Sequence, residues 1–333
     1  MNIRNRCAVG LMAGVLLTGG FCAGTMPATL TARAESIFSP NIVNFVSRNV
    51  YHPTTTNENE DAILQGGEIR FLQNTKTKNQ QLSAVIRSQD GKILVVDGGQ
   101  AADAEHLIAT IQEMGGGVVD AWIITHPQTD HVGGLYEVLK NHSGELDIRN
   151  IYYNFTDYDW YKTADPDECG MVWVLMEQLN QLDPSIVHGH MERDQEVRLS
   201  DSLSFRVMNS PVLTSGPYAV NSSGLMYDVT IDGKHLIILG DMGEEVGNQL
   251  MEAGVLDGVT ADLVQMSHHG QDGVGQAFYQ KLNPQACIWP TTSWIFDPGT
   301  NPNGLLTETT KKWIADLGIA RNYVTINGDV ILH

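Results

Sequence analysis

Apolar positions along this chain come in short runs separated by turn dipeptides, and only a few stretches show the wider spacing of a helix. Leu82 to Ser88 and Lys92 to Val96 flank Asp90-Gly91, and Met226 to Ile231 and His235 to Leu239 flank Asp232-Gly233. Asp-Gly supplies the positive backbone angles that a two-residue hairpin needs, so both pairs are predicted hairpins. Asn327-Gly328, between Tyr323 to Ile326 and Asp329 to Leu332, predicts a third. Val118 to Thr125 reads as one buried strand leading into a segment that can start a helix. Leu107, Ile111 and Met114 share one helical face that ends at Gly115-Gly116-Gly117, and Met171, Leu175, Leu179 and Leu182 repeat at the same spacing. Thr307 is placed to cap a last helix running to about Leu317, with Glu308 favourable in its first turn. Hairpins early, helices between strands and a strand-helix-strand ending predict an α/β fold, two sheets packed face to face with helices outside.

The N-terminus departs from this pattern. Arg4 and Arg6 precede an uncharged run, Cys7 to Gly24, and Ala32-Arg33-Ala34 offers small residues for cleavage. Residues 1–34 therefore read as a secretory signal peptide, too broken by glycine to serve as a permanent span, and the mature protein is expected to be secreted or at the cell surface. Phe21 before Cys22 fits a lipoprotein cleavage site badly, which disfavours lipidation. Residues 35–66 read as a polar, unstructured linker, with Pro53 to Asp61 its most solvated part, and the folded domain is expected over 67–333.

Charge narrows the partners. The leader carries Arg4, Arg6 and Arg33 and no acid, so the remainder holds 17 basic against 39 acidic residues, a net of −22. A surface this negative repels a polyphosphate backbone, and no basic run exceeds Lys311-Lys312, so nucleic acid is not the expected partner. The two cysteines outside the leader, Cys169 and Cys287, can form one disulfide in an oxidising compartment.

The chemistry concentrates in Thr125-His126-Pro127-Gln128-Thr129-Asp130-His131-Val132-Gly133-Gly134, where two imidazoles and a carboxylate fall within six residues at a strand-to-helix turn. Imidazole nitrogen and carboxylate oxygen are ligands that zinc prefers, with manganese or iron as alternatives. The stretch resembles the His-x-His-x-Asp-His motif of the metallo-β-lactamase superfamily, particularly the ComEC-like branch. Val95-Val96-Asp97-Gly98-Gly99, Leu239-Gly240-Asp241 and Ser267-His268-His269-Gly270 follow in that family's order. The resemblance runs from Gly67 to the C-terminus and implies a four-layered αββα sandwich.

The resemblance also implies roles. Asp130 and His131 match the positions that hold the second metal, and His126 matches a ligand of the first. Asp241 would bridge or complete a site. His269, directly before glycine, is the expected ligand of its pair, leaving His268 as a partner or proton donor, while Asp97 orients the motif loop. Asp130 and His268 are the expected catalytic pair.

Several positions depart from the family. Gln128 stands where a histidine or aspartate is usual, and Asn209 stands where the third histidine of the first metal is sought, with His188 and His190 as the only nearby substitutes. One firm metal and a weak or absent second are therefore expected. Asn301-Pro302-Asn303-Gly304-Leu305 lacks the histidine of the ComEC-type Asn-x-x-Gly-His-Pro signature, which speaks against DNA cleavage. Tyr152, Tyr153, Phe155, Tyr158, Trp160 and Tyr161, with Asp157 and Asp159, fit either a cationic head-group site or plain packing. The reading is a secreted metal-dependent hydrolase of a small or lipid-linked phosphodiester. Lactone or β-lactam hydrolysis and ligand binding without catalysis are the alternatives.

Overall fold

The computed structural model describes residues 55–56, 63–297 and 305–333. Its frame is two large sheets. The first has eight strands in the order Thr55–Thr56, Val330–Leu332, Glu68–Phe71, Ser83–Arg87, Ile93–Asp97, Ala121–Ile123, Ile151–Tyr152 and Val187–His188. The second has seven, in the order Glu196–Arg198, Leu203–Val207, Tyr227–Ile231, Lys234–Ile238, Leu263–Gln265, Ala286–Trp289 and Arg321–Val324. In each sheet antiparallel hairpins give way to parallel strands, whose crossovers carry helices.

Ile93 to Val96 and Leu236 to Leu239 are unbroken in apolar residues because both faces of each sheet are covered there. Leu94 and Val96 meet Leu236, Ile238 and Phe205 between the sheets. Ile93 and Val95 point the other way, onto Leu107, Ile111 and Leu135 of the helices Ala104–Gly115 and Thr129–Asn141. Ile237, Val264 and Trp289 do the same on the far side, against Val246, Leu250 and Phe278. Three apolar layers separate four structural ones: the αββα sandwich.

Asp232 (φ 49°) and Gly233 (φ 77°) close the second predicted hairpin in the left-handed region that a two-residue turn requires. At the first, only Gly91 is left-handed (φ 81°), and Ser88 hydrogen-bonds both ways with the turn, its N–H reaching Lys92 O and its O accepting from Gly91 N.

Other expectations need correcting. Tyr323 to Leu332 is not a hairpin: Arg321–Val324 closes the second sheet, Val330–Leu332 pairs with Glu68–Phe71 in the first, and Thr325–Asn327 makes a short 3-10 turn between them. The strand expected over Val118 to Thr125 breaks at Asp120, whose carboxylate accepts from Ile93 N (3.0 Å) and pairs with Lys92 and Arg149. Thr307 is the first helical residue of Thr307–Asp316 instead of its cap, and its buried hydroxyl has no partner. Leu64, placed in the expected linker, is buried in the core between the sheets, and Ile63 N donates to His333 O (2.8 Å). Thr55–Thr56 pairs in parallel with Val330–Leu332. Cys169 and Cys287 are both free thiols, and burial raises the Cys287 thiol far above its ordinary range.

The leader, most of the linker and Asn301 to Gly304 lie outside the described residues. Among the described residues no helix is long and apolar enough to cross a membrane.

Candidate metal centre

The strand Ile93–Asp97 ends on Asp97 in the left-handed region (φ 57°), which turns its carboxylate back toward the neighbouring strand end. There it accepts three short hydrogen bonds, each 2.7 Å: from Thr125 N, Thr125 Oγ1 and His131 Nδ1. The helix Thr129–Asn141 begins immediately after, with Gln128 extended at its N-cap, so Asp130 and His131 project from the first turn. Gly134 lets this helix approach: its N donates to Gly99 O (2.8 Å), and a Cβ there would lie 2.1 Å from Gly98 O.

The second sheet delivers the other half. Lys234–Ile238 leads through Leu239 and Gly240 to Asp241, and Gln265 braces this turn. Its Oε1 accepts from Leu239 N (2.8 Å) and Gly240 N (2.9 Å), and its Nε2 donates to Gly240 O and Met266 O. The next strand, Leu263–Gln265, runs into Ser267–Gly270, where His268 (φ 49°) and His269 (φ 57°) are both left-handed. Such backbone costs about 1–3 kcal/mol per residue and persists only where its surroundings enforce it. Here His268 N donates to Gly240 O (3.0 Å), Ser267 Oγ to Met242 O (2.6 Å), and His269 Nδ1 to Pro290 O (2.7 Å).

The outcome is a group of four side chains, Asp130, His131, Asp241 and His269, whose ligand atoms all lie within 4.8 Å of one another. His131 Nε2 is 3.2 Å from Asp241 Oδ1, and His269 Nε2 is 3.2 Å from Asp130 Oδ2 and 3.4 Å from Asp241 Oδ2. Both histidines commit Nδ1–H elsewhere, to Asp97 and to the Pro290 carbonyl, so in the neutral rings each Nε2 carries a bare lone pair. Those lone pairs face carboxylate lone pairs, and His131 Nε2, His269 Nε2 and Asp241 Oδ1 have no hydrogen-bond partner. Without a positive charge between them the arrangement is repulsive. Two imidazole nitrogens and two carboxylates fit a divalent cation such as zinc.

Protons substitute for that charge in the bare protein. Burial disfavours the imidazolium of His131, but the charges of Asp241 and Asp97 outweigh it and raise its pKa well above the ordinary value. His269 behaves alike: burial opposes, Asp241 and Asp130 prevail, and its pKa rises to about 9. Against the pull of burial, the same pairs hold Asp241 well below the ordinary carboxylate range and lower Asp130 as well.

His126 stands outside the four-ligand group. Its Nε2 lies 2.9 Å from Gln128 Oε1 and its Nδ1 3.0 Å from Thr125 Oγ1, and its ring centroid is 4.0 Å from that of His131. Burial, with the neighbouring His131 charge, lowers its pKa to about 4. Asn209, sought as a substitute ligand, serves the backbone: Oδ1 accepts from Met226 N (2.7 Å) and Nδ2 donates to Gly224 O and Ser210 O. His188 stacks on Tyr152 and meets Asn150 Oδ1 (2.9 Å), so it is not recruited. Of the aromatic cluster, Tyr152, Phe155 and Tyr161 are buried as packing residues, while Tyr153, Tyr158 and Trp160 are partly buried against the same core.

His268 lies at the rim, Nε2 3.7 Å from Asp241 Oδ2 and Nδ1 3.1 Å from Asp272 O. Beside it opens a cavity of about 200 Å³ walled by Tyr218, Ser222, Glu244 and Asp272, with Asp241 at its inner end. Gln265 is the positioning residue that sequence reasoning passed over. A polar side chain inside the otherwise apolar run Leu263 to Met266 was the available signal.

A sequence profile of the metallo-beta-lactamase superfamily matches residues 77–272, which include the whole four-ligand group. The chain belongs to this superfamily. It is 25% identical over 171 residues to the ComE operon protein 3 of Bacillus subtilis (strain 168), a match that takes in 51% of this chain and 20% of that longer protein. Among solved structures it is similar to the metallo-beta-lactamase fold protein YhfI from Bacillus subtilis, at 10% identity, covering 81% of this chain and 100% of that one with a TM-score of 0.49. It is also similar to Zn(2+)-bound PqqB from Methylobacterium extorquens, at 10% identity, covering 80% and 99% with a TM-score of 0.46. A superfamily member with this residue set has the fold of a metal-dependent hydrolase and a candidate divalent-metal site.

Proposed function

We propose that the chain is an exported hydrolase of small or lipid-linked phosphodiesters, working with one divalent cation, zinc foremost. One observation carries the reading: His131 and His269 each spend Nδ1–H on a fixed acceptor and aim an unpartnered Nε2 at the carboxylates of Asp130 and Asp241. A bound cation supplies Lewis acidity toward the phosphoryl oxygen and activates water near neutral pH.

The protein's own groups do the rest. Asp130 is the most exposed of the four, its side chain 13% accessible against 1% or less for the others, so it faces incoming water and can take its proton. His268 donates Nδ1–H to Asp272 O and lines the cavity with its Nε2 3.7 Å from Asp241 Oδ2, a position from which it can pass a proton to a departing alkoxide. The negative surface favours a small substrate over nucleic acid. Asn209 is committed to backbone and Gln128 to His126, which supports a single metal and ranks lactone and β-lactam hydrolysis below phosphodiester cleavage.

The test is metal content of the full chain after repletion, with hydrolysis of a chromogenic phosphodiester and of a lactone. One metal per chain is expected, with phosphodiester turnover that falls at least about 100-fold in Asp130→Ala while the fold persists. Equal turnover in parent and variant rejects the proposal. Lactone turnover alone favours the second reading, and substoichiometric metal without any turnover favours a ligand-binding protein.

A further inference from the structure

A second cavity, of about 390 Å³, lies between the loop that follows Glu68–Phe71 and the segment after Ala286–Trp289. Its size suits a small molecule. Trp294 Nε1 donates to Lys78 O (2.7 Å) and ties the two walls together. In a chain with 39 acidic and 20 basic residues, no carboxylate among the described residues lines this cavity. Lys78 does line it, and among the described residues no carboxylate holds it, whereas Arg70, Lys92, Arg149 and Lys234 are each held by one.

The opposite wall contains spare donors. Thr291 is 4% exposed and its hydroxyl has no hydrogen-bond partner, nor has that of Thr292. The backbone around Thr291 is fully engaged: its N donates to Thr325 Oγ1 (2.9 Å), which donates in turn to Thr291 O (2.9 Å). The residue is therefore fixed by the fold while its hydroxyl serves nothing within it, and an unpaired buried hydroxyl is costly unless something else pairs with it. Asn74, the amide on the loop side, has already spent its oxygen on Lys76 N and Thr77 N. Gln73 spends its Nε2 on Ile326 O (2.8 Å), and beside its amide oxygen the cavity offers one cation and hydroxyl donors, groups that suit an oxyanion.

We propose that this cavity binds the phosphate of a small phosphorylated molecule, with Lys78 supplying charge and the Thr291 and Thr292 hydroxyls donating hydrogen bonds. Phosphate suits it better than a carboxylate because several oxygens can face the separate donors at once, and the remaining volume beside Trp294 accommodates an organic part. Thr291 directly follows Pro290, whose carbonyl holds His269, so occupancy bears on the metal centre through one peptide unit. The site stands whether or not that centre cleaves phosphodiesters.

Isothermal titration of inorganic phosphate and of glycerol phosphate into the metal-loaded full chain tests this. Both are expected to bind, glycerol phosphate at least as tightly, with affinity that weakens as salt rises. Lys78→Gln and Thr291→Val should each reduce affinity about tenfold. Lys78→Arg and Thr291→Ser should keep most of it, and Lys76→Gln, on the same loop but outside the cavity, should change it less than about twofold. Should Thr291→Val not fold, Lys78→Gln on the exposed loop still decides. Absence of binding, or affinities unchanged in Lys78→Gln, overturns the proposal and in the second case assigns the anion to the metal.

Discussion

Asp97 Oδ2 lies 2.7 Å from His131 Nδ1, and neither side chain is exposed. The contact joins the end of one strand to the first turn of the helix that follows the next, and it decides which His131 nitrogen is left bare. Asp97→Asn keeps the size and tolerates the left-handed backbone, since asparagine adopts positive φ readily. It either presents an N–H to the Nδ1–H of His131 or gives up one of the two bonds to Thr125. Metal affinity is expected to fall about 10–100-fold with little change in the far-UV circular dichroism, measured by competition with a chelating dye.

The metal-free protein should be most stable near pH 6.5. His126, its pKa lowered to about 4, refuses a proton that the unfolded chain accepts, so stability is lost as the pH falls from 6.5 toward 4. His269, raised to about 9, contributes stability that is fully present below 6.5 and lost as the pH rises through 9. Urea midpoints between pH 4 and 10 should trace a maximum. Saturating metal should shift it upward, because the cation replaces the proton on His269 and binds more tightly as that proton leaves. A midpoint that climbs steadily to pH 9 without metal contradicts the assignment.

Gly134→Ala should detach the motif helix from the Asp97 turn. The added Cβ would lie 2.1 Å from the Gly98 carbonyl oxygen, which is backbone and cannot rotate away. A loss of about 2–4 kcal/mol in urea denaturation is expected, together with weaker metal binding. Retained stability would mean the helix can shift outward without cost.

Asn209→Ala separates structure from chemistry. The substitution leaves Met226 N and the carbonyls of Gly224 and Ser210 without their partner in a buried site. The expected cost is about 2–4 kcal/mol of stability, with metal stoichiometry unchanged. Loss of metal in a still-folded variant would restore Asn209 as a ligand.

Local chemistry was legible wherever it was self-contained. Asp232-Gly233 needs no partner to adopt positive φ, and the apolar runs flanking it pair as written. Tyr323 to Leu332 carries the same kind of signal, yet its two strands enter different sheets, because the free edge beside Glu68–Phe71 and the edge beside Ala286–Trp289 each took one of them. A turn dipeptide states that the chain can reverse; which edge is vacant is a property of the whole fold.

The same division runs through the site. Sequence alone determined the donor types and their order, from Asp130 and His131 to Asp241 and His269, because metal-ligand chemistry is written in residue identity. Only the tertiary structure decided that His126 turns to Gln128, that Asn209 braces backbone and that Gln265 holds the Asp241 turn. A side chain's partner is whatever polar group the packed interior leaves within about 3 Å of it, and that distance does not exist until both sheets have closed on each other.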